Sequence, residues 1–137
     1  MALVCIGMLL VSCGSNRLGD PKAQLMRDFG LHIDKKDCVL EELFNNYEGV
    51  PYEGIALYKL TIGEDVRQAF LQWERFPFSE EAECFLESLS AYAELPSIAD
   101  GYWKMVDRNP GTSAYTNVSL CVYDRATDAA YLLTMDI

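Results

Sequence analysis

The order of helix-like and strand-like stretches predicts an α+β domain of two layers, with helices on one face of a mainly antiparallel sheet of about five strands. Two observations carry that expectation. Residues 80–92 have the cap and the apolar spacing of an amphipathic helix, and the chain after Pro96 alternates and turns as β structure does. A third bounds it: no repeat, low-complexity tract or long Pro/Gly/Ser linker divides the chain, so residues 20–137 read as one domain able to bury a core.

Asp20-Pro21, then Lys22 to Phe29, then Gly30 read as a short helix, because Asp is a good N-cap, Pro suits the first helical position and Gly suits the C-terminal cap. Leu25, Met26 and Phe29 give it one apolar face. His32, the only histidine, follows between Leu31 and Ile33; with no paired Cys or second His it reads as a structural or surface residue, since general base work needs partners. Residues 38–47 are ambiguous by pattern. Leu40, Leu43, Phe44 and Tyr47 have helical spacing, whereas Val39 and Phe44 suit a strand.

Ile55 to Ile62, rich in β-branched and aromatic residues and closed by Gly63, reads as a strand. Glu64-Asp65 then start a helix whose Val66, Ala69, Phe70 and Trp73 share one face. Pro77 breaks it, and the sequence brings Trp73, Phe76 and Phe78 together. Two readings follow: a platform for stacking a sugar ring or gripping a peptide, or a core plug between two helices, which the large area buried by aromatics favours.

Ser79 caps a helix over Glu80 to Tyr92 with Ala82, Phe85, Leu86 and Leu89 on its apolar face. Glu80, Glu83 and Glu87 fall on another face. Like charges at that spacing cost a few tenths of a kcal/mol per pair, which a solvated face tolerates; the alternative is a docking face for a cationic partner. Beyond Pro96, strands are expected over Gly101 to Asp107, Tyr115 to Tyr123 and Ala129 to Asp136. Asn109-Pro110-Gly111 turns between the first two, and Asp124 to Asp128 joins the last two as a hairpin loop.

The compartment is read from the N-terminal stretch. An apolar run from Ala2 ends in Leu10-Val11-Ser12-Cys13-Gly14, which resembles a bacterial lipoprotein signal: Leu three places before the cleavage point, a small residue just before it, then the Cys whose thiol forms a thioether to diacylglycerol. The resemblance implies a signal peptide over residues 1–12, lipidation with palmitate-type acyl chains at Cys13, a tether over residues 13–19, and an extracytoplasmic position at the cell membrane or envelope. The run of about ten apolar residues is short of the roughly 20 needed to span a bilayer, while two acyl chains suffice for stable anchoring. Secretory signals ordinarily open with Lys or Arg; Met1 to Val4 carry no charge, a departure that a translation start further upstream would explain. The competing reading of this stretch is a buried terminal strand or helix with Cys13 as a small core residue.

Phe29 to Ile33, Val39 to Phe44, Gly101-Tyr102-Trp103-Lys104 and the terminal hairpin are similar to a family of small uncharacterised bacterial proteins. The resemblance implies that residues 38–47 are a strand running into a Gly-rich turn. The family's turn has a His-Gly-Asp-Gly core; Glu48 to Gly54 keeps Gly49 and Gly54 and lacks the His and Asp, so the resemblance implies a fold rather than an activity.

The formal charge of -10 excludes partners that need a basic face. Nucleic acid and anionic lipid both require Lys/Arg clusters, and here the longest basic run, Lys35-Lys36, is flanked by Asp34 and Asp37. With Cys13 lipidated, Cys38, Cys84 and Cys121 remain, an odd number that allows at most one intramolecular disulfide; all three read as buried small apolar residues, too widely spaced for a short metal-ligand pattern. No Ser elbow, phosphate-binding Gly-rich loop or H-E-x-x-H motif occurs, and no cofactor is implied. The expectation is a membrane-anchored extracytoplasmic lipoprotein acting as a non-catalytic binding or interaction module. Candidate binding residues are Trp73, Phe76, Phe78, Glu80, Glu83 and Glu87. The alternatives are a small envelope hydrolase using carboxylates near Trp73 or Trp103 with His32 as helper, and an immunity-type lipoprotein that binds a cationic protein through its acidic face.

Overall fold

The Asp20 side chain accepts a hydrogen bond from the Lys22 amide, Pro21 opens the helix, and α1 (Pro21–Phe29) ends at Gly30, whose φ of 66° admits the left-handed cap. The computed structural model describes residues 20–33, 38–49, 53–112 and 114–137; the signal-like stretch, Cys13 and the tether lie outside the described residues. The remaining elements are β1 (Val39–Asn45), β2 (Gly54–Thr61), α2 (Glu64–Phe70), β3 (Glu74–Arg75), α3 (Glu80–Leu89), β4 (Gly101–Asp107), β5 (Asn117–Asp124) and β6 (Ala129–Asp136). Residues 39–45 are strand, as the family resemblance implied.

The strands form one antiparallel sheet in the order β1-β2-β6-β5-β4-β3. The fold is therefore α+β with an antiparallel sheet. Six strands replace the expected five or so because the two residues Glu74 and Arg75 pair with Trp103 and Tyr102 at the β4 edge. At the other edge, β1 carries Glu41 and Glu42 and a register shift between Glu42 and Phe44, features that discourage further strand pairing.

The layering differs from the expectation of helices on one face. Strands β5 and β6 are central and buried on both sides, so the sheet has two apolar faces to cover. Val118, Leu120, Val122, Leu133 and Met135 pack with Ala82, Phe85 and Leu89 of α3; Cys121, Tyr123, Ala130 and Leu132 pack with Leu25 and Phe29 of α1 and Phe70 of α2. The physical reason is that Ser119, Cys121 and Tyr123, the alternate set along β5, are small or amphipathic enough to be buried.

Two helices are shorter than expected. Helix α3 keeps its Ser79 cap, whose Oγ accepts from the Ala82 amide at 3.2 Å, but stops at Leu89 in a turn that carries Tyr92 to the surface. Helix α2 ends at Phe70, leaving Trp73 in the turn that follows.

Candidate functional site

The expected aromatic cluster is split by the sheet edge. Trp73 packs on the α1 and α2 face, with ring centroids 5.5 Å from Phe29 and 4.7 Å from Phe70. Phe76 and Phe78 lie on the α3 face, 4.5 Å from each other, with Phe78 5.6 Å from Trp103. Strand β3 runs between them along the edge, so the chain before and after it serves opposite cores. The three rings therefore form no common platform; each set is a core plug.

Glu80, Glu83 and Glu87 are exposed on α3 and take part in no ion pair among the described residues. Glu87 and Phe78 share a small groove of about 340 Å³ with Leu86 and Leu95; Glu80, Glu83 and Trp73 do not line it. His32 is exposed, beside Cys38, Glu64 and Asp65 on a pocket of about 550 Å³, and no hydrogen bond among the described residues ties it to either carboxylate. Among the described residues no group is placed to orient it as a general base. Cys38 and Cys121 are buried free thiols, whereas Cys84, also free, is exposed on α3 and corrects the expectation of three buried cysteines. The reason is helical phase: Ala82, Phe85 and Leu89 take the buried face and Cys84 falls off it.

Two features were not anticipated from the sequence. The first is a charged knot between α1 and the sheet. Arg108, just beyond β4, places Nη1 2.7 Å from Asp28 Oδ2 and bonds Asp136 through Nη2. Ser119 Oγ donates to Asp28 at 2.7 Å, and Gln24 Nε2 donates to Asp28 at 2.8 Å and to Ser119 at 2.7 Å. Tyr47, at the end of β1, donates to Asp136 Oδ2 at 2.7 Å and lies 3.1 Å from the Thr134 hydroxyl. Burial alone would raise the Asp28 pKa, but the Ser119 hydrogen bond and the Arg108 charge hold it below the ordinary value. Burial pushes the Tyr47 phenol up, so it remains a donor across the working pH range. Every charge in this knot is satisfied, and Ser119, fully buried, is out of reach of a substrate.

The second is a cleft of about 800 Å³ on the α3 side of the sheet, bounded by the β1–β2 hairpin, the end of α3, the approach to β5 and the end of β6. Its floor is Ile55, Leu89 and Met135, all buried, and Tyr92 and Tyr115 rise beside it. Tyr115 is held by an edge contact with Phe85 (5.5 Å) and by donating to the Glu81 carbonyl at 3.1 Å. The hairpin side is equally defined. Asn46 Oδ1 accepts from the Ile55 amide at 2.7 Å, and Gly54 passes so close to Tyr47 that a Cβ there would lie 2.5 Å from the Tyr47 Cα.

Glu48 and Glu53 pair across this hairpin, exchanging both backbone hydrogen bonds at 2.9 and 3.1 Å. Residues so paired project from the same side of the ribbon, and both glutamates line the cleft. Neither carboxylate is ion-paired among the described residues, no Lys or Arg lines the cleft, and the third acid there, Asp136, belongs to the knot.

The chain matches no family model, no curated protein and no solved structure. Among the described residues no helix is long and apolar enough to cross a membrane, and no group of three or more His, Cys, Asp or Glu side chains is placed to hold a metal ion.

None of the six binding residues expected from the sequence lines the larger cleft. The available signal was the turn Glu48 to Gly54: its glycines mark a tight hairpin, and that hairpin is one wall of the cleft. Its glutamates, rather than a His or Asp, carry the polar chemistry. Tyr92 and Tyr115 were expected only as the last residue of a helix and the first of a strand, and nothing local marked either as a cleft residue.

Proposed function

We propose that the protein is a lipid-anchored, extracytoplasmic binding module of the bacterial envelope and that its ligand occupies the cleft between α3 and the β1–β2 hairpin. The observation that carries the binding half is the cleft itself: about 800 Å³ with an apolar floor and a few convergent polar groups, within the size range of small-ligand sites. The anchoring half rests on Leu10-Val11-Ser12-Cys13. The two are compatible in space, because α1, the first described element after the tether, packs on the sheet face opposite the cleft. A non-catalytic role is supported by Ser119 being sealed in the charged knot.

Two measurements on one set of strains test this reading. Labelling with an alkyne-tagged palmitate, followed by fractionation, is expected to find the wild-type chain labelled and in membranes and the Cys13→Ala chain unlabelled; a Cys13→Ala chain of unchanged mass that stays membrane-bound refutes the anchor. A photo-crosslinking side chain at position 92, on the cleft, is expected to capture a ligand of defined mass that the same side chain at position 27, on α1, does not. Identical adducts from both positions, or none from either, would count against the cleft as the binding site.

A further inference from the structure

Resting on that reading of the cleft, we infer that its ligand is a small amphipathic organic cation, an ammonium group on an apolar body. The floor selects the apolar body. Ile55, Leu89 and Met135 offer hydrocarbon at the base of a cavity of about 800 Å³, a volume for a compact molecule rather than an extended interface. The rim selects the charge.

Glu48 and Glu53 face the cleft from directly opposed hairpin positions, an arrangement that like charges disfavour when nothing lies between them. Arg108, which reaches Asp136 on the cleft wall, has its guanidinium committed to Asp136 and Asp28. The fold therefore carries two carboxylates on one side of a cavity that no Lys or Arg lines among the described residues. Tyr92, 56% exposed, and Tyr115 add aromatic faces that attract an ammonium and repel a carboxylate. An anionic ligand would meet two like charges at the rim, and a neutral apolar one would leave their repulsion in place. An ammonium on an apolar stem satisfies the floor, the rings and the glutamates together.

The test is titration of the full chain in non-ionic micelles with 2-phenylethylamine, against its neutral isostere 2-phenylethanol and the anion 3-phenylpropanoate, followed residue by residue by amide NMR. The amine is expected to move the Gly54, Ile55 and Tyr115 signals and to bind about tenfold more tightly than the alcohol, as an exposed ion pair and a cation–π contact together allow. The anion is expected not to bind. Glu48→Gln with Glu53→Gln is expected to bring the amine down to the affinity of the alcohol, with unchanged signals from Leu120 and Leu132 showing that the sheet is intact. Equal binding of amine and alcohol at the cleft, or an amine preference that survives the double substitution, overturns the inference while leaving the cleft as a binding site. If none of the three probes moves the cleft signals, the proposed site falls with it.

Discussion

The charged knot and the acidic rim of the cleft meet at Asp136 but are built on opposite principles. In the knot, the Asp28 side chain is only 3% exposed, and it is bonded by Arg108, Ser119 and Gln24; in the cleft rim, Glu48 and Glu53 face each other in solvent with no ion pair among the described residues. Burial explains the difference. A carboxylate taken out of water must be paired and hydrogen-bonded or it is driven to its neutral form at a cost in stability, whereas an exposed pair of like charges costs so little that it can be kept for another purpose. The knot fastens α1, the first described helix, to β5 and β6. The rim is left available.

The largest effect should come from opening the knot. Arg108→Ala leaves the buried Asp28 with only the exposed Arg27 as a cationic neighbour and is expected to lower stability by about 3–5 kcal/mol in urea unfolding at neutral pH. A loss below about 1 kcal/mol would mean that water reaches Asp28 and would erase the contrast with the rim.

The next effect depends on pH. The Asp28 pKa lies below the ordinary aspartate value, so its stabilising contribution is complete above that ordinary value and disappears as pH falls through the still lower folded value. Thermal unfolding followed from about pH 6 to about pH 2 is therefore expected to show an acid-side loss of stability that Asp28→Asn, which has no proton to gain, partly flattens. An acid limb unaltered in slope by Asp28→Asn would show that other carboxylates govern it.

The smallest effect has the opposite sign. Glu53→Gln removes one of two opposed like charges and is expected to stabilise the fold by a few tenths of a kcal/mol at low salt, a gain that shrinks as salt is added. Destabilisation on that substitution would mean that Glu53 holds the hairpin together rather than serving the cleft. A small gain in stability accompanied by weaker amine binding would place the pair among groups retained for function at some cost to the fold.

Several elements were legible because their causes are local. Asp20-Pro21 and Gly30 delimit α1, Ser79 caps α3, and alternation with turn residues marks β4, β5 and β6. The candidate site was legible only in its hairpin, through Gly49 and Gly54. The aromatic cluster misled for a physical reason: proximity in sequence from Trp73 to Phe78 says nothing about which side of a sheet edge each ring takes, and β3 divides them.

What the sequence by itself determined is what neighbouring residues settle among themselves: helix caps, strand alternation, turns and the acidic balance. Only the tertiary structure decided that the sheet is covered on both faces, that Asp28, Arg108 and Asp136 meet, and that α3, the β1–β2 hairpin and the end of β6 enclose one cleft. Those contacts join residues far apart along the chain, and they form because burying two apolar faces of β5 and β6 leaves the intervening polar groups no partners except one another.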